Sequence, residues 1–384
     1  MKNYIVIGVG RMGSRHADNL YKKRVPGARL VAVVDTDPKA LAAFTARHKV
    51  PGFTDLDECL QSVSVDAAVI AVPHYSHVPI AVGLIEKGIA VLTEKPEAVD
   101  IAEAARLNAV AEKHPEVLFG IVYNQRTNPC YRFAKRVIDN GGIGDIKRIT
   151  LVITDWYRSQ HYYDMGGWRA SWTGEGGGLL INQCVHQLDV LQWLIGLPES
   201  IDAVANTKGR DIYVENEVSV RMRYADGAEG VFIASANELK GTNILEIAGD
   251  KGKLSVGKYK AKYYSFSPSE REVNATAKKG YGKARISRKS KSYGLFRLIY
   301  DGIYGQQIRV LKGFTKALNG DKAALVAPGT DGIKALSFIN SVYLSAYTGK
   351  RVPCPPDPQE YVRCLESMKA DERKGVRAFA KGEN

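Results

Sequence analysis

The chain has 384 residues, 45% hydrophobic and 25% charged, which predicts two globular domains and excludes a disordered or fibrous chain. Its formal charge is +13, but residues 251–297 hold 14 Lys and Arg against 2 Asp and Glu, a net of +12. The rest is close to neutral, which argues against a general polyanion binder, and no apolar run nears the ~18 residues of a bilayer-spanning helix.

The first third alternates short β-branched runs with helical patterns. Residues 5–7, 29–34, 66–72, 89–92 and 117–122 read as continuous apolar strands, and 14–22 and 101–113 as helices, the second capped by Asp100. Continuous apolar strands separated by helices predict a parallel sheet covered on both faces, a doubly wound α/β domain. No secretory leader pattern precedes the first strand. Five cysteines (Cys59, Cys130, Cys184, Cys354 and Cys364) without CxxC spacing predict reduced thiols and a cytoplasmic, soluble protein.

Between the first strand and first helix stands Gly8-Val9-Gly10-Arg11-Met12-Gly13. GxGxxG alone is weak, but this one leaves a strand, opens a helix and is followed by Asp35 at the end of the next strand. Gly8 permits the tight turn, Gly10 lets backbone approach a diphosphate, and Gly13 allows close helix–strand packing. The helix start offers N–H groups and partial positive charge. Asp35 would accept from both ribose hydroxyls, which favours NAD; Thr36 and Lys39 leave NADP open as the alternative cofactor.

After the run 89–92 comes Thr93-Glu94-Lys95-Pro96, at the carboxyl end of a strand, where ligands bind in such sheets. Lys95 there suits a cation that positions a substrate hydroxyl. Pro73-His74-Tyr75-Ser76-His77 follows an earlier strand end. With no Cys or carboxylate cluster beside the two histidines, no metal site is expected.

The second half carries Gly176-Gly177-Gly178 running into a helix that ends near Gly196. Asn182, His186 and Asp189 stand at i, i+4 and i+7, one helical face. A histidine titrating near neutrality can take a hydroxyl proton as hydride leaves the same carbon; Asn182 would orient substrate. Cys184 between them reads as packing. From residue 146 longer alternating strands predict a mostly antiparallel sheet. Hairpins fall at 225–227 and 249–252, and helices at 306–318 and 331–348. The basic, Tyr-rich stretch 258–297 reads as a loop-rich excursion: a solvated rim, a wall recruiting an anionic substrate, or a subunit-packing arm. Nucleic acid is not expected, because no recognised binding fold accompanies it.

GVGRMGSRH, TEKP and GGGLLINQCVHQLD, in this order, resemble the Gfo/Idh/MocA family, and the likeness extends to NSVYLSAYTGKRV at 340–352. The resemblance implies an N-terminal Rossmann domain, residues 1–124. It implies a C-terminal substrate-binding and oligomerisation α/β domain, 125–384, with a large open, mostly antiparallel sheet forming a homodimer or homotetramer. It further implies NAD(P)-dependent oxidation of a sugar, glycoside or polyol hydroxyl, with Lys95 and His186 matching the usual catalytic lysine and histidine. Asn182 replaces an aspartate common among polyol dehydrogenases of the family, which argues against a plain inositol dehydrogenase.

Asn124-Gln125-Arg126-Thr127-Asn128-Pro129, Asp155-Trp156-Tyr157-Arg158, Tyr162-Tyr163 and Gly167-Trp168-Arg169 resemble a branch containing glycoside C3 oxidases. Aromatic faces there would cover a pyranose, and Tyr157, Arg158, Arg169 and His161 would address it. The resemblance places Pro73, His74, His77, Glu94, Lys95, Asn124, Trp168 and Arg169 along the cofactor cleft. Two alternatives stay open: a redox-recycling lyase or hydrolase without net NADH, and a non-catalytic NAD-binding sensor. The expected partner is a small sugar or glycoside, anionic or neutral, with neither nucleic acid nor membrane.

Overall fold

The computed structural model describes residues 1–379. The chain forms two compact units, one of residues 1–127 with 299–336, the other of 128–298 with the described residues from 337 on. The single division expected at 124/125 therefore falls three residues later, and a segment of the C-terminal half returns to the first unit.

In the first unit, strands β1 (Lys2–Ile7), β2 (Ala28–Val34), β3 (Gly52–Phe53), β4 (Ala67–Ile70), β5 (Ala90–Thr93) and β6 (Phe119–Ile121) form a sheet in the order 3-2-1-4-5-6. Every pairing is parallel. Helices cover the strands, so Ile5, Val6, Val69, Ile70 and Leu92 are fully buried, as their continuous apolar runs require. β3, two residues long, carries too little pattern to be read from sequence. The helix Ile101–Lys113 begins where predicted, Asp100 accepting the Glu103 N–H at 2.9 Å.

The returning segment supplies the helix Gln307–Leu318. Its Ile308, Leu311 and Phe314 enter the core that contains Tyr4, Val6 and Leu20, and the Tyr4 hydroxyl lies 2.9 Å from Thr315 Oγ1. Full burial of side chains such as Leu311 and Phe314 contributes about 1.5–3 kcal/mol each.

The second unit is built on β7 (Ile146–Ile153), β8 (Ser200–Asn206), β9 (Glu217–Arg223), β10 (Glu229–Ser235), β11 (Asn243–Gly249), β12 (Gly252–Gly257), β13 (Lys260–Ser267), β14 (Arg285–Ser292) and β15 (Val352–Pro353). Their order is 14-13-12-11-7-10-9-8-15, with only β7 and β10 parallel. Alternation is plain in β9, where Val218, Val220 and Met222 are buried and Ser219, Arg221 and Arg223 exposed. Both predicted hairpins form, the first through Gly227 at φ +85°.

The basic stretch is not the loop-rich excursion expected of it. It completes the sheet edge as β13 and β14, with a short helix, Glu270–Thr276, capped by Ser269. Every residue of β14 is exposed, so neither face carries the apolar period that reveals a strand. Among the described residues, no helix is long and apolar enough to cross a membrane.

Candidate active site

In the first unit the glycine turn has the geometry its sequence implies. Gly8 sits at φ +86°, and a Cβ on Gly13 would lie 1.7 Å from the Gly8 carbonyl oxygen, so only glycine closes this strand–helix corner. A Cβ on Gly10 would meet nothing within 4 Å, so its outer face is open to a ligand. Gly10 also begins the helix Arg11–Tyr21 without a side-chain cap, leaving Arg11 and Met12 in the first turn of an unblocked N-terminus. Asp35, at the end of β2, accepts the Val9 N–H at 2.7 Å and the Asp37 N–H at 2.9 Å. Each carboxylate oxygen keeps a second acceptor position, so the acid both fixes the glycine turn and can take ribose hydroxyls. This open cradle and acid suit a dinucleotide, with Gly8 to Gly13 holding its diphosphate and Asp35 its ribose.

Glu94 and Lys95 follow β5 directly, with Glu94 buried and Lys95 half-buried. His16 Nε2 lies 2.8 Å from Glu94 Oε1, which ties the first helix to this turn. His74 is buried after Pro73, its ring 5.9 Å from that of His77. His77 is almost wholly enclosed: Nδ1 is 2.7 Å from the Pro96 carbonyl oxygen and Nε2 2.9 Å from that of Val72. Burial holds its pKa below the ordinary histidine value, opposed by the Pro96 and Val72 carbonyls. Its two ring nitrogens thus face backbone carbonyl oxygens on either side of the ring, which ties the segment after β4 to the turn around Lys95. Asn124 is buried, its amide Nδ2 donating to Gln306 Oε1 at 3.3 Å and its Oδ1 lacking a protein donor. Nearby, buried Arg126 pairs with Asp331 at 2.6 Å.

In the second unit the helix Val185–Ile195 is preceded by a π-turn, Leu180–Cys184, an irregularity the sequence reading did not anticipate. Asn182 lies in this turn and His186 just beyond it, both half-buried, whereas Asp189 is fully buried and accepts from Gln192 Nε2 at 2.8 Å. The three therefore do not share one accessible face. Asn182 Nδ2 donates to Glu175, whose other oxygen accepts the Ala170 N–H at 2.8 Å. Burial drives the Cys184 thiol well above the usual cysteine range, consistent with a packing role.

The residue that sequence reasoning missed here is Glu215. Wholly buried, it accepts the Gly178 N–H at 3.0 Å, the Leu180 N–H at 2.8 Å and the Tyr343 hydroxyl at 2.9 Å. It thus anchors the Gly176–Gly178 turn from which the Asn182–His186 segment springs. Burial pushes its pKa up to about 7 against these three donors. The only signal was an Asp-free run, Val214-Glu215-Asn216-Glu217, entering an alternating strand.

Around the short helix Gln160–Asp164 the aromatic and basic residues cluster. Tyr157 and His161 are exposed, and Arg158, Trp168 and Arg169 half-buried. The Arg158 guanidinium lies 4.6 Å from the Tyr162 ring centre and Arg169 lies 5.5 Å from it. Gln183 Nε2 donates to the Tyr162 hydroxyl at 3.2 Å, linking this cluster to the Asn182 turn. Trp172, not singled out from sequence, is the fully buried tryptophan of the region. Among the described residues, no cluster of His, Cys, Asp and Glu could hold a metal ion.

A parallel sheet in this order with this glycine turn defines a dinucleotide-binding domain. The family profile described as an oxidoreductase family with an NAD-binding Rossmann fold matches residues 2–121, and the Gfo/Idh/MocA C-terminal domain profile matches 131–255. The scyllo-inositol 2-dehydrogenase (NAD(+)) of Bacillus subtilis is 30% identical over 262 residues, 65% of this chain and 72% of that protein. The inositol 2-dehydrogenase of Rubrobacter xylanophilus is 33% identical over 193 residues, so that the chain matches about half of its length, 51%. In structure the chain resembles the WlbA dehydrogenase of Bordetella pertussis, crystallised with NADH and UDP-GlcNAcA. That likeness has a TM-score of 0.72 at 27% identity and covers 92% of this chain and 99% of the other. The chain belongs to the Gfo/Idh/MocA family of NAD-binding oxidoreductases.

Proposed function

We propose that the chain oxidises a secondary hydroxyl of a sugar, glycoside or polyol to a ketone. In this reading Lys95 is the cation that positions the hydroxyl and favours its alkoxide character, and His186 takes the hydroxyl proton as the C–H bond breaks and the C=O bond forms. NAD, when bound, supplies the acceptor for the departing hydride. Asn182 orients the substrate, its own amide held by Glu175. Tyr157, Arg158 and His161 would contact the sugar, and Asn124, Trp168 and Arg169 the cofactor. The observation that carries the reading is the half-exposed Asn182–His186 pair, set on an anchored turn in a chain of this family.

Within that reading, oxidation at a sugar C3 hydroxyl is the finer proposal. A homodimer or homotetramer would cover the open face of the second sheet, where Val204, Val231 and Ile233 are exposed.

A panel of inositols, glycosides and nucleotide-sugars incubated with NAD tests the proposal. NADH is expected to form in step with a keto product, whose position shows which carbon reacts. Product without NADH would indicate cofactor recycling, and NAD binding with no turnover across the panel would overturn the proposal.

A further inference from the structure

We propose that the second unit holds an oxyanion site centred on Arg158, which selects sugars bearing a carboxylate or phosphate. This rests on the reading above that the same region receives the sugar.

The cations here are crowded on aromatic rings rather than paired with acids. Arg158 lies 5.2 Å from the Trp156 ring centre and 4.6 Å from that of Tyr162, Lys258 shares the Trp156 ring at 5.9 Å, and Arg169 shares the Tyr162 ring at 5.5 Å. Among the described residues, none of the three has a carboxylate within ion-pair distance, unlike Arg126 and Arg309, which pair with Asp331 and Asp301. Neighbouring acids are engaged elsewhere: Asp155 with Asn243, Asp164 with Gln160, and Glu175 with Asn182 and Ala170. Arg158 Nε, Arg169 Nε and Trp156 Nε1 are buried N–H donors without a protein acceptor.

Buried donors without acceptors are costly and like charges repel, so the cluster is incomplete as the protein alone. An oxyanion's charge offsets the crowded cations, and its oxygens can accept from the guanidinium groups of the half-buried arginines. The aromatic faces that hold the cations also suit the apolar C–H surface of a pyranose. The Tyr162–Gln183 hydrogen bond ties the cluster to the turn that holds Asn182, so a sugar bound by its oxyanion lies beside the turn that leads into His186.

The test uses the full chain with NAD and three probes, D-glucuronate, D-glucose 6-phosphate and D-glucose, measured by calorimetry and by NADH formation. At least one charged probe is expected to bind tenfold or more tightly than glucose, with an advantage that shrinks as salt rises. The better of the two charged probes distinguishes a carboxylate from a phosphate site. Arg158→Gln is expected to lose most of the advantage and Arg158→Lys to keep part of it. If Arg158→Gln does not fold by circular dichroism, Lys258→Gln carries the same expectation. Equal binding of all three probes, or an undiminished preference in the folded variants, overturns the site. Oxidation of neutral sugars without oxyanion preference leaves the oxidoreductase reading intact and removes this one. Oxyanion preference without turnover does the reverse.

Discussion

Tyr343 donates its hydroxyl to Glu215 across 2.9 Å, and both side chains are wholly buried. The pair holds the glycine turn ahead of Asn182 through a carboxyl group whose pKa burial has raised to about 7 from an ordinary 4.5.

A raised carboxyl pKa has a definite sign. The folded state favours the protonated form, so stability from this group is fully present below pH 4.5 and falls as pH rises toward about 7. The loss across that window is on the order of 3 kcal/mol. Melting temperature followed from pH 4.5 to 7 should decline less steeply in Glu215→Gln than in the unsubstituted chain; parallel declines would show that Glu215 does not titrate there.

The glycine turn yields a paired prediction. Gly13→Ala places a methyl group against the Gly8 carbonyl and should destabilise the first unit by several kcal/mol, read by thermal denaturation. Gly10→Ala meets open space, so the fold should survive while NAD affinity falls about tenfold as the methyl group occupies the ligand's approach. Unchanged NAD affinity in Gly10→Ala would remove the diphosphate from this turn.

Asp35→Ala should weaken NAD binding by about tenfold or more, since it removes the ribose acceptor and frees the Val9 N–H. The ratio of NADP to NAD affinity should rise as the repelling carboxylate disappears. Fluorescence titration with both dinucleotides measures it, and a constant ratio would deny Asp35 the discriminating role.

His186→Ala should lower kcat by roughly 10²–10⁴-fold, the range for loss of a general base, while NAD still binds. Lys95→Ala should fall similarly. Full turnover in either variant would dismiss that residue from the chemistry, as steady-state assays with the best panel substrate would show.

What could be read from the residues followed the strength of their pattern. The parallel sheet was legible because strands buried on both faces are continuously apolar, and the glycine turn because only glycine fits positions 8 and 13. The π-turn at Leu180–Cys184 was not, since winding depends on contacts such as the one from Glu215, far away in sequence. β14 was hidden because an edge strand exposed on both faces needs no apolar residues. The enclosure of His77 was hidden for a related reason: two carbonyls from separate strand ends form its surroundings, and neither has a sequence signature.

The return of residues 299–336 to the first unit bears on the order in which the protein is made. A fragment ending at Thr127 lacks Ile308, Leu311 and Phe314 and leaves Tyr4 without Thr315, so it should expose an apolar face and associate. On the ribosome the same face waits uncovered until residue 318 has emerged, after the whole of 128–298 has been synthesised. The domain that starts first is thus completed late, and during synthesis its open core is the surface most in need of a chaperone.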